Sequence, residues 1–275
     1  MSYLTAVLLG LVQGITEFLP VSSSGHLALL QNIFLAQEPD LMFDACLHLG
    51  TLLSLLLAFH RDIRAVTRGG LGLLGLGQER GKTNRRNANR RRMAVFLTVG
   101  TIPLALALPL RSQVAAMYHN TPLISLMLVG MGTVLYVSDR YSGGNDGIRE
   151  TSAWKAFLVG LAQVPGVIPG LSRAGITISA GTLLGMKRSF AVWFSFLLSV
   201  PAVLGAVVVT FYDGLQAGSQ SLQLPQYLCG MLAAAVSGYF SIGLLRYLAA
   251  KHKFGGFIYY CWGAGLISLA LSLIA

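Results

Sequence analysis

The chain has 275 residues, of which 54% are hydrophobic and 11% charged, with a formal net charge of +10. Soluble domains carry roughly 25% charged residues, so this composition excludes a soluble enzyme, a disordered chain, a collagen-like chain and a disulfide scaffold. It points to an all-α polytopic membrane protein in which the 32 glycines allow close helix packing.

In chain order, Met1–Ala36 is apolar but interrupted by Pro20 and the run Ser22–Ser24. The first residues, Met-Ser-Tyr, lack the basic region of a cleaved signal peptide. Spans long enough to cross a bilayer follow at Phe43–Phe59, Ala94–Leu110 and Thr121–Ser138. Between the first two lies a basic loop, Glu79–Arg92, with seven Lys or Arg against one acid. It has no interleaved aromatics for base stacking, so it reads as a topology signal, and no nucleic-acid partner is expected. Trp154–Met186 is again apolar but interrupted, by Pro165, Pro169 and Gly170. Spans at Phe190–Val209, Gln226–Tyr247 and Phe257–Ala275 complete six. Cys46, Cys229 and Cys261 lie far apart in apolar runs and suit core packing.

The two interrupted regions read as re-entrant helix–loop–helix hairpins, because irregular backbone at membrane depth survives only inside protein or along a wet cavity. They also resemble each other. Gly10-Leu11-Val12-Gln13 precedes Pro20 and Ser22–Ser24, and Gly160-Leu161-Ala162-Gln163 precedes Pro169 and Ser172-Arg173. Each hairpin is followed by three spans, an odd number, so the second unit starts from the opposite face. The reading is one integral membrane domain, 1–275, built as an inverted-topology repeat of approximately 1–138 and 154–275. Such folds place their sites where the broken helices meet. Threading the spans puts Arg61, Arg64, Arg68, the Arg80–Arg92 cluster, Lys187, Arg188, Arg246, Lys251 and Lys253 on one side, which is cytoplasmic by the positive-inside rule.

Ionisable groups at membrane depth are costly and mark function. Glu17 and His26 lie in the first hairpin and Arg173 in the second. Gln13 and Glu17 share a helix face at four-residue spacing. Ser22, Ser23, Ser24 and His26 crowd a helix start, as do Ser172, Arg173 and Thr177. An Arg fork with hydroxyls and free N–H groups is phosphate-binding chemistry. Asp44 and His48 in the first span are weaker candidates, and His60, His119 and His252 fall at span ends or in loops.

At these residues the chain resembles the undecaprenyl-diphosphate phosphatase family, the bacitracin-resistance proteins of bacterial inner membranes. The family motif (Glu/Gln)-x-x-x-Glu followed by Pro-Val-Ser-Ser-x-Gly-His matches Gln13–Glu17 and Pro20–His26, and Pro-Gly-x-Ser-Arg-Ser-x-x-Thr matches Pro169–Thr177. The run Phe43–Thr51 is also familial. Two positions depart: Gln13 is neutral where many members have Glu, and Ala174 replaces a Ser. The resemblance implies hydrolysis of the C55 lipid diphosphate, carrier-lipid recycling for peptidoglycan synthesis, and a divalent cation, Mg²⁺ or Ca²⁺, held at Glu17 with Gln13. The expected partners are that lipid substrate and membrane lipids, and a homodimer stays open.

The roles assigned are a diphosphate clamp at Arg173, with Ser172, Thr177 and nearby N–H groups, and a general base or metal ligand at Glu17. Gln13, Ser22 and Ser24 line the substrate site. His26, Ser23 and a direct water attack stay open as the source of the nucleophile, with His26 foremost. Two rivals share parts of the pattern. A lipid-phosphate flippase would use the same repeat and Arg clamp without poised Glu17 and His26. A type-2 phosphatidic acid phosphatase would need a second His soon after Arg173, and none follows until His252.

Overall fold

In hydrocarbon, backbone polar groups must be satisfied within their own segment, and the apolar runs accordingly fold as helices. The computed structural model describes residues 1–35, 40–75, 85–216, 223–251 and 254–274, which form twelve α-helices and, among the described residues, no β-sheet. The first broken region is α1 (Tyr3–Phe18), an irregular turn, and α2 (Ser23–Leu29), which runs on as a π-helical turn, Leu30–Leu35. Ala36, where that region was expected to end, lies outside the described residues. α3 (Leu41–Ala58) starts at Asp40, whose carboxylate accepts the Met42 and Phe43 N–H groups. α4 (His60–Leu73) then turns away by 83°. Its sequence explains the turn, because Ile63 and Val66 pack against the core while Arg61, Arg64 and Arg68 stay exposed, a two-faced pattern that suits a helix lying along a surface.

α5 (Arg85–Thr101) passes through a 3-10 segment, Ile102–Leu110, into α6 (Arg111–Met117). Pro103 and Pro109 each lack an N–H, so the regular i→i−4 ladder cannot continue there. Here the expected basic loop is corrected: Arg85–Arg92 is the first part of α5, and residues 79–84 lie outside the described residues. Arginine has good helix propensity, and the loop reading rested on charge alone. α7 (Thr121–Tyr141) follows. The second broken region is α8 (Ala153–Ala162), a 3-10 turn (Val164–Val167) and α9 (Arg173–Leu183). α10 (Arg188–Gln216), α11 (Leu224–Ala250) and α12 (Gly255–Ile274) complete the chain. Among the described residues, five helical segments are long and apolar enough to cross a membrane, and the bent α3–α4 pair makes up to six.

Glycine sets the closest helix contacts. A Cβ at Gly14 would lie 2.0 Å from Ser237 Oγ and 2.4 Å from the Ala234 carbonyl, so α1 lies flush on α11. A Cβ at Gly160 would meet the Gly100 carbonyl at 2.1 Å, and α8 lies on α5 in the same manner. α3 packs on α10 and α11, and α7 on α12. Phe196 joins these pairs in the core, with its ring 5.8 Å from Phe18 and 5.5 Å from Phe59. The two interrupted turns interlock at the centre. A Cβ on Gly25 would strike Gly170 Cα at 2.9 Å, and one on Gly175 would strike Pro20 Cβ at 3.1 Å.

Candidate active site

Glu17 ends the last full turn of α1 and is 7% exposed. Burial of a carboxylate requires partners on both oxygens, and it has them. One oxygen accepts from Arg173 Nη2 at 2.6 Å. The other accepts from Ser23 Oγ at 2.6 Å and from Gln13 Nε2 at 3.1 Å. The two turns thus deliver the residues to one point. α1 brings Gln13 and Glu17 on one face, α2 opens with Ser23, and α9 opens with Arg173.

Both α2 and α9 start with the same cap. Ser22 Oγ accepts the Gly25 N–H at 3.2 Å, and Ser172 Oγ accepts the Gly175 N–H at 3.0 Å. Each cap satisfies a free N–H of its helix start, and the residue that follows it, Ser23 in one turn and Arg173 in the other, reaches Glu17. Ser22 has φ 69°, a left-handed conformation that a non-glycine residue adopts only when its surroundings enforce it. Arg173 Nε is buried and has no hydrogen-bond partner among the described residues. A guanidinium already paired through Nη2 and left with an unused N–H donor is prepared for an oxyanion.

The other expected site residues are placed differently. Ser172 also donates to the Leu19 carbonyl at 3.4 Å, which ties the second turn to the first. Ser24 Oγ lies 3.4 Å from Ser22 Oγ and does not reach Glu17. The Thr177 hydroxyl donates to the Arg173 carbonyl at 2.9 Å and meets Ser195 Oγ at 2.6 Å, so it fastens α9 to α10. His26 is held apart from Glu17: Nδ1 meets the Ser22 carbonyl at 2.7 Å and Nε2 meets Tyr260 Oη at 2.7 Å. It borders a cavity of about 180 Å³ lined otherwise by apolar side chains of α2, the π turn and α12, together with Tyr260 and Ser268.

His48, set aside as weaker, stands in the cluster. Its Nδ1 is 3.0 Å from Gln13 Nε2 and 3.8 Å from Glu17. The signal was its place on α3, which packs on both α1 and α11, a contact that residue type alone does not disclose. Tyr260 carried no signal, since one tyrosine in an apolar helix resembles ordinary lipid-facing packing.

Among the described residues no three His, Cys, Asp or Glu side chains gather to hold a metal ion. Gln13 Oε1, however, is buried beside Glu17 without a partner among the described residues. That leaves one carbonyl and one carboxylate, a donor set that suits Mg²⁺ only when substrate phosphate oxygens complete the shell.

Residues 6–267 match the sequence model of the bacitracin resistance protein BacA family. The chain belongs to the BacA family. Relatives named undecaprenyl-diphosphatase align along nearly the whole chain. One from Desulfosudis oleivorans is 38% identical, covering 99% of this chain and all of its own length. One from Methanobrevibacter smithii is 39% identical over 97% of this chain and 96% of its own. One from Carboxydothermus hydrogenoformans is 35% identical, with 98% of each chain covered. For this BacA family member the matched region contains the whole Glu17–Ser23–Arg173 cluster.

Proposed function

We propose that this chain is an undecaprenyl-diphosphate phosphatase of the bacterial inner membrane. It hydrolyses the C55 lipid diphosphate to undecaprenyl phosphate and inorganic phosphate, which recycles the carrier lipid and underlies bacitracin resistance. The observation that carries the reading is the shared contact at Glu17. A hydroxyl and a guanidinium meet one buried carboxylate, which is a nucleophile, its base and an oxyanion clamp in hydrogen-bond reach.

Ser23, rather than His26, is the attacking group in this arrangement. Glu17 accepts the Ser23 proton as Oγ bonds to the terminal phosphorus. The bond from that phosphorus to the bridging oxygen breaks, Glu17 returns the proton to that oxygen, and the lipid monophosphate leaves with the carboxylate restored. Water, activated by the same carboxylate, then releases inorganic phosphate from the serine. Arg173 Nε, the unused donor of the clamp, holds the charge on the phosphoryl oxygens, the main requirement of phosphoryl transfer. A divalent cation supplies further charge neutralisation when bound by Glu17, the Gln13 carbonyl and the diphosphate. The apolar cavity beside His26 suits the first part of the isoprenoid chain.

An inverted-topology repeat of six spans and two re-entrant hairpins accounts for the packing. With an offset near 150 residues, the Gly25–Gly170 contact corresponds to the Gly175–Pro20 contact, and α1 on α11 corresponds to α8 on α5. Such reciprocity is what a two-fold relation between halves produces. In this layout the Arg61–Arg68 face is cytoplasmic and Glu17 is entered from outside.

The deciding assay is phosphate release from C55 diphosphate by purified protein in detergent, with and without EDTA. Release abolished by EDTA and restored by Mg²⁺ or Ca²⁺ is expected. A flippase would bind the lipid without releasing phosphate, and unchanged release in EDTA would remove the cation from the reaction.

A further inference from the structure

We propose that Tyr260 is a positioning residue that acts through His26 to hold the nucleophile loop, an inference that rests on the phosphatase reading above. The pieces form one hydrogen-bonded line. Tyr260 Oη donates to His26 Nε2 at 2.7 Å, with the two rings nearly parallel at 9°. His26 Nδ1–H in turn donates to the Ser22 carbonyl at 2.7 Å. These roles follow from each other. A carbonyl can only accept, so the proton sits on Nδ1; the Nε2 lone pair of the neutral ring is then left for the phenol.

The far end of the line is Ser22, whose φ of 69° needs enforcement. Its neighbour Ser23 must keep a 2.6 Å contact with Glu17. The imidazole ring grips the carbonyl of the strained residue, and Tyr260 stops that ring from rotating. The next residue on α12 points to the same task, because Cys261 Sγ lies 3.6 Å from the Pro20 carbonyl in the same turn. α12 thus braces the first turn twice. Tyr260 itself is 48% exposed, so its ring contributes less packing than a core tyrosine, and the hydroxyl carries its effect. This assigns His26 a structural duty at the nucleophile and explains why both of its nitrogens are already engaged.

The test compares Tyr260→Phe, His26→Asn and the double variant in detergent, with Tyr259→Phe as control. Tyr260→Phe keeps the ring and should lower kcat about fivefold to tenfold, the loss of one neutral hydrogen bond, with KM little changed. His26→Asn places an amide N–H where Nδ1–H stood but cannot reach Tyr260, so it should retain measurable turnover. Adding Tyr260→Phe to His26→Asn should cost nothing more. Independent of turnover, ¹⁵N-histidine spectra of the wild-type protein should show His26 with protonated Nδ1 and an accepting Nε2 whose resonance moves in Tyr260→Phe. Wild-type kcat in Tyr260→Phe, additive losses in the double variant, or an unmoved Nε2 resonance would each overturn the proposal. Complete loss of turnover in His26→Asn would also overturn it, in favour of attack by His26. Absence of phosphate release from the wild type would instead defeat the phosphatase reading, while the spectra still decide the pairing.

Discussion

Arg173 and Glu17 form an ion pair whose side chains are 18% and 5% exposed. Breaking such a pair strands a charge and costs about 3–5 kcal/mol, whereas replacing both members with apolar groups comes close to neutral. Glu17→Ala should therefore lose activity and also lower the unfolding temperature. Glu17→Ala combined with Arg173→Met should recover stability and stay inactive, as read by thermal unfolding beside phosphate release. A double variant no more stable than Glu17→Ala would mean that the pair is not the source of the loss. Ser23→Ala deletes the hydroxyl that Glu17 accepts from and, in the proposed mechanism, where the two act as nucleophile and base, should reduce turnover by more than about 100-fold. Thr177→Ala should retain most of its rate, because its hydroxyl joins α9 to α10 and not to Glu17.

At the scale of helices, glycine falls into two sets that the same substitution separates. Gly14 and Gly160 lie where a Cβ would overlap the backbone of a neighbouring helix. Alanine there must push α1 from α11 or α8 from α5, at a cost of roughly 1–3 kcal/mol. Gly130, Gly205 and Gly243 lie inside α7, α10 and α11 with nothing within 4 Å of a built Cβ. Alanine at these three should raise stability by about 0.5–1 kcal/mol each, from the reduced freedom of the unfolded chain and better helix propensity. Thermal unfolding in one detergent ranks all five. Equal effects in both sets would show that packing between these helices does not set their distances.

For the whole molecule, the proposed layout predicts opposite sides for two exposed positions, one in α6 and one just after α7. In a cysteine-free background, Gln113→Cys after the 3-10 segment should react with a membrane-impermeant thiol reagent added to intact cells. Gly143→Cys, after α7, should be protected until the membrane is opened. Reversed labelling would invert the protein, and labelling of both from outside would remove a span from the α7 region.

Helix content, membrane class and the two broken regions were present in the sequence, because apolar length and the positions of proline act over a few residues. So were the polar groups that meet at the centre: Glu17, Ser23 and Arg173 stand out where hydrocarbon is expected. The basic segment at Arg85–Arg92 was misjudged, since charge indicates sidedness and says little about whether the backbone is coiled. Which polar groups meet was decided by tertiary structure alone. Glu17 and Arg173 are 156 positions apart, and His26 and Tyr260 are 234 apart. Their contacts depend on how flush glycine lets α1, α8, α11 and α5 pack and on the interlock of two turns. His48 entered the centre and Thr177 left it for the same reason. Residue type sets what a side chain can bond, and the packing of helices distant in sequence sets what lies within its reach.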